Sequence, residues 1–193
     1  MPRIRLAALF GALGLLATAV PARAQHQERF DAAFRRYTKR YFGVGFDWRH
    51  FKAQAMAESD LNPQARSAVG ARGLMQLMPS TFQAIATTRP GFTSIDDPEF
   101  NIAAGILHDR DLWRLWEPIV PDSERPNFMF ASYNAGEGTI TRAAAIAKAK
   151  QLDNAAWPSI EVVAPTVPRW RYRETLGYVR KIAENYSTLS HRP

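Results

Sequence analysis

Apolar residues recur at helical spacing along nearly the whole chain beyond residue 25, and alternating strand patterns are scarce, so a mainly helical fold is expected. The periodicity predicts helices over 28–41, 47–59, 79–87, 98–116, 125–133, 137–151 and 169–187. Two starts are marked by Pro79 and Asp97-Pro98, which put a proline where the first helical turn needs no amide donor. Between residues 67 and 77, glycines and short apolar pieces leave room for a small β-hairpin at most. The stretch 152–168 holds Pro158, Pro165 and Pro168 and no clear period. An irregular segment that long is either a lid over a site or a peripheral insertion packed by Trp157 and Ile160.

The first 24 residues read as a removable leader rather than as part of the fold. Arg3 and Arg5 precede an almost wholly apolar run, Leu6 to Val20, and Ala22-Arg23-Ala24 fits a small-residue cleavage site. The run is short for a membrane span, so no stable membrane insertion is expected after cleavage, and a soluble domain over 25–193 is. The chain has no cysteine, which excludes disulfides, thiolate metal sites and a lipid-modified cysteine anchor. Its net charge of +7 falls to +4 when Arg3, Arg5 and Arg23 leave with the leader, a balance suited to loose attraction to an anionic polymer. The basic run Arg35-Arg36-Tyr37-Thr38-Lys39-Arg40 reads as a solvated helix face, and nucleic acid is not an expected partner. His26, His50, His108 and His191 show no ligand spacing, and Gly43-Val44-Gly45 does not extend to a phosphate loop, so neither metal nor cofactor is expected.

The chemistry concentrates where the alanine-rich helix over 47–59 ends. Trp48, Phe51, Ala55 and Glu58 follow at spacings of three, four and three, so one carboxylate continues an apolar stripe. Burial there disfavours the charged form and raises the pKa. The size of the shift decides its use. A glutamate at ~4.3 is protonated in about one molecule in 500 at pH 7, whereas at ~6 the fraction is roughly one in ten, enough for a general acid. The same position equally fits a helix-end carboxylate that reaches solvent or Arg66 or Arg72.

The residues that follow separate these readings. Glu58-Ser59, Asn62-Pro63, Ala65, Ser67, Gly70-Ala71, Gly73-Leu74-Met75-Gln76 and Met78-Pro79-Ser80-Thr81 resemble the signature of the soluble lytic transglycosylase (SLT domain) family, related to goose-type lysozyme. Asp97-Pro98, Asn101-Ile102 and Gly105 match in order, then Ala131 and Tyr133-Asn134-Ala135-Gly136, then Tyr172, Glu174-Thr175 and Tyr178-Val179. The chain departs from the family in carrying His108-Asp109 where a tyrosine is common. The resemblance covers roughly residues 47–187 and implies a lysozyme-like, mainly α single domain with a small β-hairpin region beside a glycan cleft.

It also implies an exported, periplasmic enzyme acting on peptidoglycan strands, with Glu58 as catalytic residue and no cofactor. In that chemistry one carboxylic acid protonates the oxygen of the β-1,4 bond between N-acetylmuramic acid and N-acetylglucosamine. As carboxylate it then takes the proton of the muramoyl 6-hydroxyl while a 1,6-anhydro ring closes. By resemblance Ser67 orients the carboxyl, Gln76 and Met78 line the cleft, Tyr133 and Asn134 meet the sugar, and Glu174 and Tyr178 face the cleft one turn apart. Two alternatives remain open at this level. A hydrolytic muramidase needs a second carboxylate, for which Asp60, Glu99, Glu137 and Glu174 are the candidates. A non-catalytic wall-binding module of an envelope-spanning secretion or conjugation machine needs none.

Overall fold

The computed structural model describes residues 28–191, so the expected leader lies outside the described residues. Eight α-helices follow one another there: α1 (Asp31–Phe42), α2 (Arg49–Ser59), α3 (Pro79–Thr88), α4 (Pro98–Trp116), α5 (Arg125–Ala135), α6 (Glu137–Ala149), α7 (Trp157–Val163) and α8 (Tyr172–Ser190). A 3-10 turn, Ala164–Thr166, follows α7. The mainly helical class is therefore the observed one.

Helix α4 is the axis of the core because one stretch of it is apolar or small on every side: Ile102, Ala103, Ala104, Gly105, Ile106 and Leu107 are all buried. It packs against α1 and α5. Its start is fixed as the sequence indicates, with Asp97 accepting hydrogen bonds from the amides of Glu99 at 2.8 Å and Phe100 at 3.0 Å, and proline next in line. Near its far end Trp116 is sunk in the core and donates its indole N–H to Ser132 at 2.9 Å, so the large ring is buried without an orphaned donor. Helix α2 packs most extensively on α8, far away in sequence, and that pairing assembles the site.

The β-hairpin expected near residues 67–77 is reduced to two isolated antiparallel bridges, Arg66 with Arg72 and Arg72 with Leu77. The chain turns too often for a ladder to extend, since Gly70 (φ 91°), Gly73 (φ 76°) and Gln76 (φ 45°) all leave the extended region. The stretch 152–168 is not an irregular lid. It contains α7, whose Trp157, Ile160 and Val163 are buried, and the 3-10 turn, with Ala164 buried as well. Pro158 stands in the first turn of α7, where it helps start a helix instead of preventing one.

Candidate active site

Glu58 lies in the last turn of α2 and Tyr178 on the second turn of α8. The Tyr178 hydroxyl donates to Glu58 Oε1 at 2.6 Å. The carboxyl is partly buried, with Phe51 and Ala55 of the same helix completely so. Burial raises the Glu58 pKa from 4.5 to about 7, against the Tyr178 hydrogen bond and the positive charge of Lys181, which both lower it. Lys181 is anchored by donating to the Ala57 carbonyl at 3.0 Å. The group is therefore divided between acid and carboxylate near neutral pH.

The helix stops immediately beyond the acid because Asp60 (φ 52°) and Leu61 (φ 60°) both take the left-handed conformation, which costs energy for non-glycine residues. The loop that follows is held from three sides, each grip on main-chain atoms. Ser59 donates to the Leu74 carbonyl at 2.8 Å. Tyr133 donates to the Met75 carbonyl at 2.8 Å. Asn101, buried in α4, donates to the carbonyls of Arg72 at 2.9 Å and Ile95 at 3.0 Å and accepts from the Met75 amide at 2.8 Å. Packing matches these bonds. A Cβ on Gly73 would lie 2.4 Å from Asn101 Nδ2, and one on Gly105 would lie 2.7 Å from Met75 Cγ. The Asn-Ile and Gly positions of α4 are thus the mould into which 73–75 fits.

The expected site residues divide into those beside Glu58 and those that shape its surroundings. Tyr178 touches the acid, and Tyr133 is close enough to feel its charge. Ser67 does not provide the hydrogen bond expected of it. Its hydroxyl accepts from the Ala71 amide at 3.0 Å and closes the turn around Gly70, while the hydrogen bond to the carboxyl comes from Tyr178. Gln76 turns its amide N–H groups to the carbonyls of Ala65 and Gly73, at 3.2 and 3.0 Å, and stabilises its own strained turn. Met78 is 40% exposed at the start of α3. Asn134 accepts from Thr175 at 2.8 Å, which in turn accepts from the Trp170 indole at 2.9 Å, so it ties α5 to α8. Glu174 is exposed, paired with Arg171 at 2.8 Å, and lines a surface hollow with Trp170, Arg171, Tyr172 and Arg173.

Three residues at the site carried no role in the sequence reading. Lys181 follows Tyr178 by three and so shares its face of α8, a signal that helical spacing contains. Gln54 precedes Glu58 by four on α2 and donates to Asp109 of α4 at 3.3 Å in the interior. Only the fold shows that Asp109 lies beneath the acid. Of the other candidate carboxylates, Asp60 and Glu137 are exposed, Glu99 pairs with Arg36 and Glu174 with Arg171. No group of three or more His, Cys, Asp or Glu side chains suited to a metal stands together among the described residues.

The chain is similar to known proteins in sequence and in fold. Residues 35–156 match the family described as "Transglycosylase SLT domain". The chain is 31% identical over 172 residues to the membrane-bound lytic murein transglycosylase F of Shewanella pealeana, covering 83% of this chain and 34% of that protein. It superposes on the crystal structure of the 70 kDa soluble lytic transglycosylase of Escherichia coli with a TM-score of 0.60 at 29% identity, over 86% of this chain and 26% of that one. A complex of a 70 kDa soluble lytic transglycosylase with bulgecin A gives 0.64 at 28% identity, over 86% and 25%. The chain thus spans about a third of the length of the curated relative it matches and about a quarter of the solved ones. A match over well more than half of its residues, extending from within α1 to the threshold of α7, makes this chain a member of the transglycosylase SLT domain family.

Proposed function

We propose that the protein is a peptidoglycan lytic transglycosylase in which Glu58 acts first as acid and then as base. The observation that carries this reading is the Glu58 carboxyl itself, partly buried at a helix end, bonded through Oε1 to Tyr178 and poised at about pH 7. With Oε1 engaged, the second oxygen carries the proton. It passes to the bridging oxygen between N-acetylmuramic acid and N-acetylglucosamine as the C1–O bond breaks. The muramoyl C6 hydroxyl then attacks C1 from within the same sugar, and its proton returns to the Glu58 carboxylate. The intramolecular nucleophile gains effective molarity and removes the need for a second carboxylate. That economy agrees with the surroundings of Asp60, Glu99, Glu137 and Glu174, none of which bonds to Glu58 or Tyr178 among the described residues.

In this reading Tyr178 and Tyr133 flank the reacting sugar, Met78 gives an adaptable apolar contact, and Ser67, Gln76 and Asn134 hold the cleft walls. Glu174 with Arg171 forms an outer polar rim. Export supplies the substrate: residues 1–24 act as a cleaved leader and 25–193 form the periplasmic domain. Among the described residues, no helix is long and apolar enough to cross a membrane.

Digesting purified sacculi with the enzyme and weighing the products by mass spectrometry tests the proposal. Anhydro-muropeptides are expected. Products one water heavier, ending in reducing sugars, would overturn it in favour of hydrolysis. Wall binding without release of any fragment would instead favour a non-catalytic module. Bulgecin A, held in a complex by a 70 kDa soluble lytic transglycosylase, is expected to bind this chain as well, as calorimetry would show.

A further inference from the structure

Beneath Glu58, two buried oxygens on neighbouring side chains have no hydrogen-bond partner: Oε1 of Gln54 and Oδ2 of Asp109. Both residues are 0% exposed. Their other polar atoms already meet, Gln54 Nε2 donating to Asp109 Oδ1 at 3.3 Å. An ionised carboxylate only accepts, so it leaves the amide oxygen with no donor to bond. A protonated carboxyl presents a donor beside an acceptor, as an amide does, and the two edges are complementary. One proton on Oδ2 gives both orphaned oxygens a partner at once, where an unmade bond at each would be costly.

We propose that Asp109 is held as a neutral carboxylic acid, paired two-fold with the Gln54 carboxamide, and that this pair is a positioning device for Glu58, one helical turn further along α2. The inference rests on Glu58 being the acid of the reaction above. Gln54 and Glu58 are four apart and share a face, so the amide fixes the floor against which the acid stands. Burial favours the neutral form of Asp109, the Gln54 hydrogen bond opposes it, and the charge of Glu58 reinforces it.

The other groups around the cluster are of like kind. Tyr133 on α5 and Tyr178 on α8 are pushed up by burial and by the neighbouring carboxyls, and so stay neutral donors. His108 on α4 is pushed down by burial, and Lys181 on α8 is the cation acting on Glu58. A neutral Asp109 therefore leaves Glu58 as the one carboxyl of this cluster that changes charge near neutral pH. An ionised Asp109 would add a second negative charge and drive the acid's midpoint upward.

Carboxyl-carbon NMR of the full chain, titrated from about pH 4 to about pH 9, tests both halves of the proposal. Expected is a signal for Asp109 that is still protonated at neutrality while Glu58 moves through a midpoint near 7. An Asp109 signal that titrates below about pH 5 and is ionised at neutrality would overturn the proposal. Asp109→Asn can rebuild both bonds to Gln54 and is expected to hold the Glu58 midpoint within about 0.2 unit, whereas Asp109→Leu strands the amide and displaces it by about half a unit or more. The same midpoint in all three proteins would reduce the pair to a packing feature and sink the positioning role. If Asp109→Leu does not fold, the titration of the unmodified chain and of Asp109→Asn still decides. No lytic assay enters, so failure of the peptidoglycan reading would appear in the sacculus digest and not here.

Discussion

At the scale of single residues, the Glu58 proton bears on stability and, in the proposed reaction, on activity, and both fall as pH rises. Unfolded, the acid ionises near 4.5; folded, it ionises near 7. Below the lower value it is neutral in both states. As pH climbs between the two, the unfolded chain releases its proton and the folded one retains it, so folding stability falls, and above about 7 the loss is complete at roughly 3 kcal/mol or less. Glu58→Gln is thus expected to abolish lysis yet raise the melting temperature at about pH 8, with little gain near pH 4, as calorimetry at the two values would show. For the unmodified enzyme, kcat/KM is expected to drop about tenfold per pH unit above the midpoint, because the free enzyme must arrive protonated. Tyr178→Phe removes a hydrogen bond that favours the carboxylate. It should move that descending limb upward by roughly one unit, a shift readable in the pH profile.

At the scale of elements, what the sequence displayed depended on how local the cause was. Helix α4 was legible to the residue because Asp97-Pro98 states its start and its apolar period runs on to Trp116. Helix α7 was hidden, since its seven residues hold a proline and too few turns for a period to show. Its existence comes from burial of Trp157, Ile160 and Val163, a tertiary cause. Trp157→Ala is accordingly expected to destabilise by about 3–5 kcal/mol in denaturant titration, a cost that a mobile lid would not incur. The place of Glu58 at the end of an apolar stripe was legible in the spacing of Trp48, Phe51 and Ala55. The bond from Tyr178 to Glu58 was not, because 120 residues separate the partners and only the packing of α2 on α8 joins them. Gly73→Ala combines a left-handed backbone with a Cβ pressed onto Asn101, and the expected loss is about 2 kcal/mol or more.

At the scale of the whole molecule, the N-terminal half supplies the acid on α2 and the loop that returns across it, and the C-terminal half supplies the tyrosine that orients the acid on α8. Neither half holds a complete site. Because α2 and α8 share one interface beside a single core around α4, thermal unfolding and loss of lytic activity are expected to coincide in one transition; two separable calorimetric transitions would contradict this.

The three-sided grip on residues 72–75 carries a consequence for redesign. Ser59, Asn101 and Tyr133 read only peptide groups there, so they are indifferent to what the outward side chains of the same loop happen to be. Ala68 and Val69, both exposed in the same loop, can then be exchanged while the main-chain grip on 72–75 stays as it is. Position and surface character are in that sense written on different atoms of one short segment.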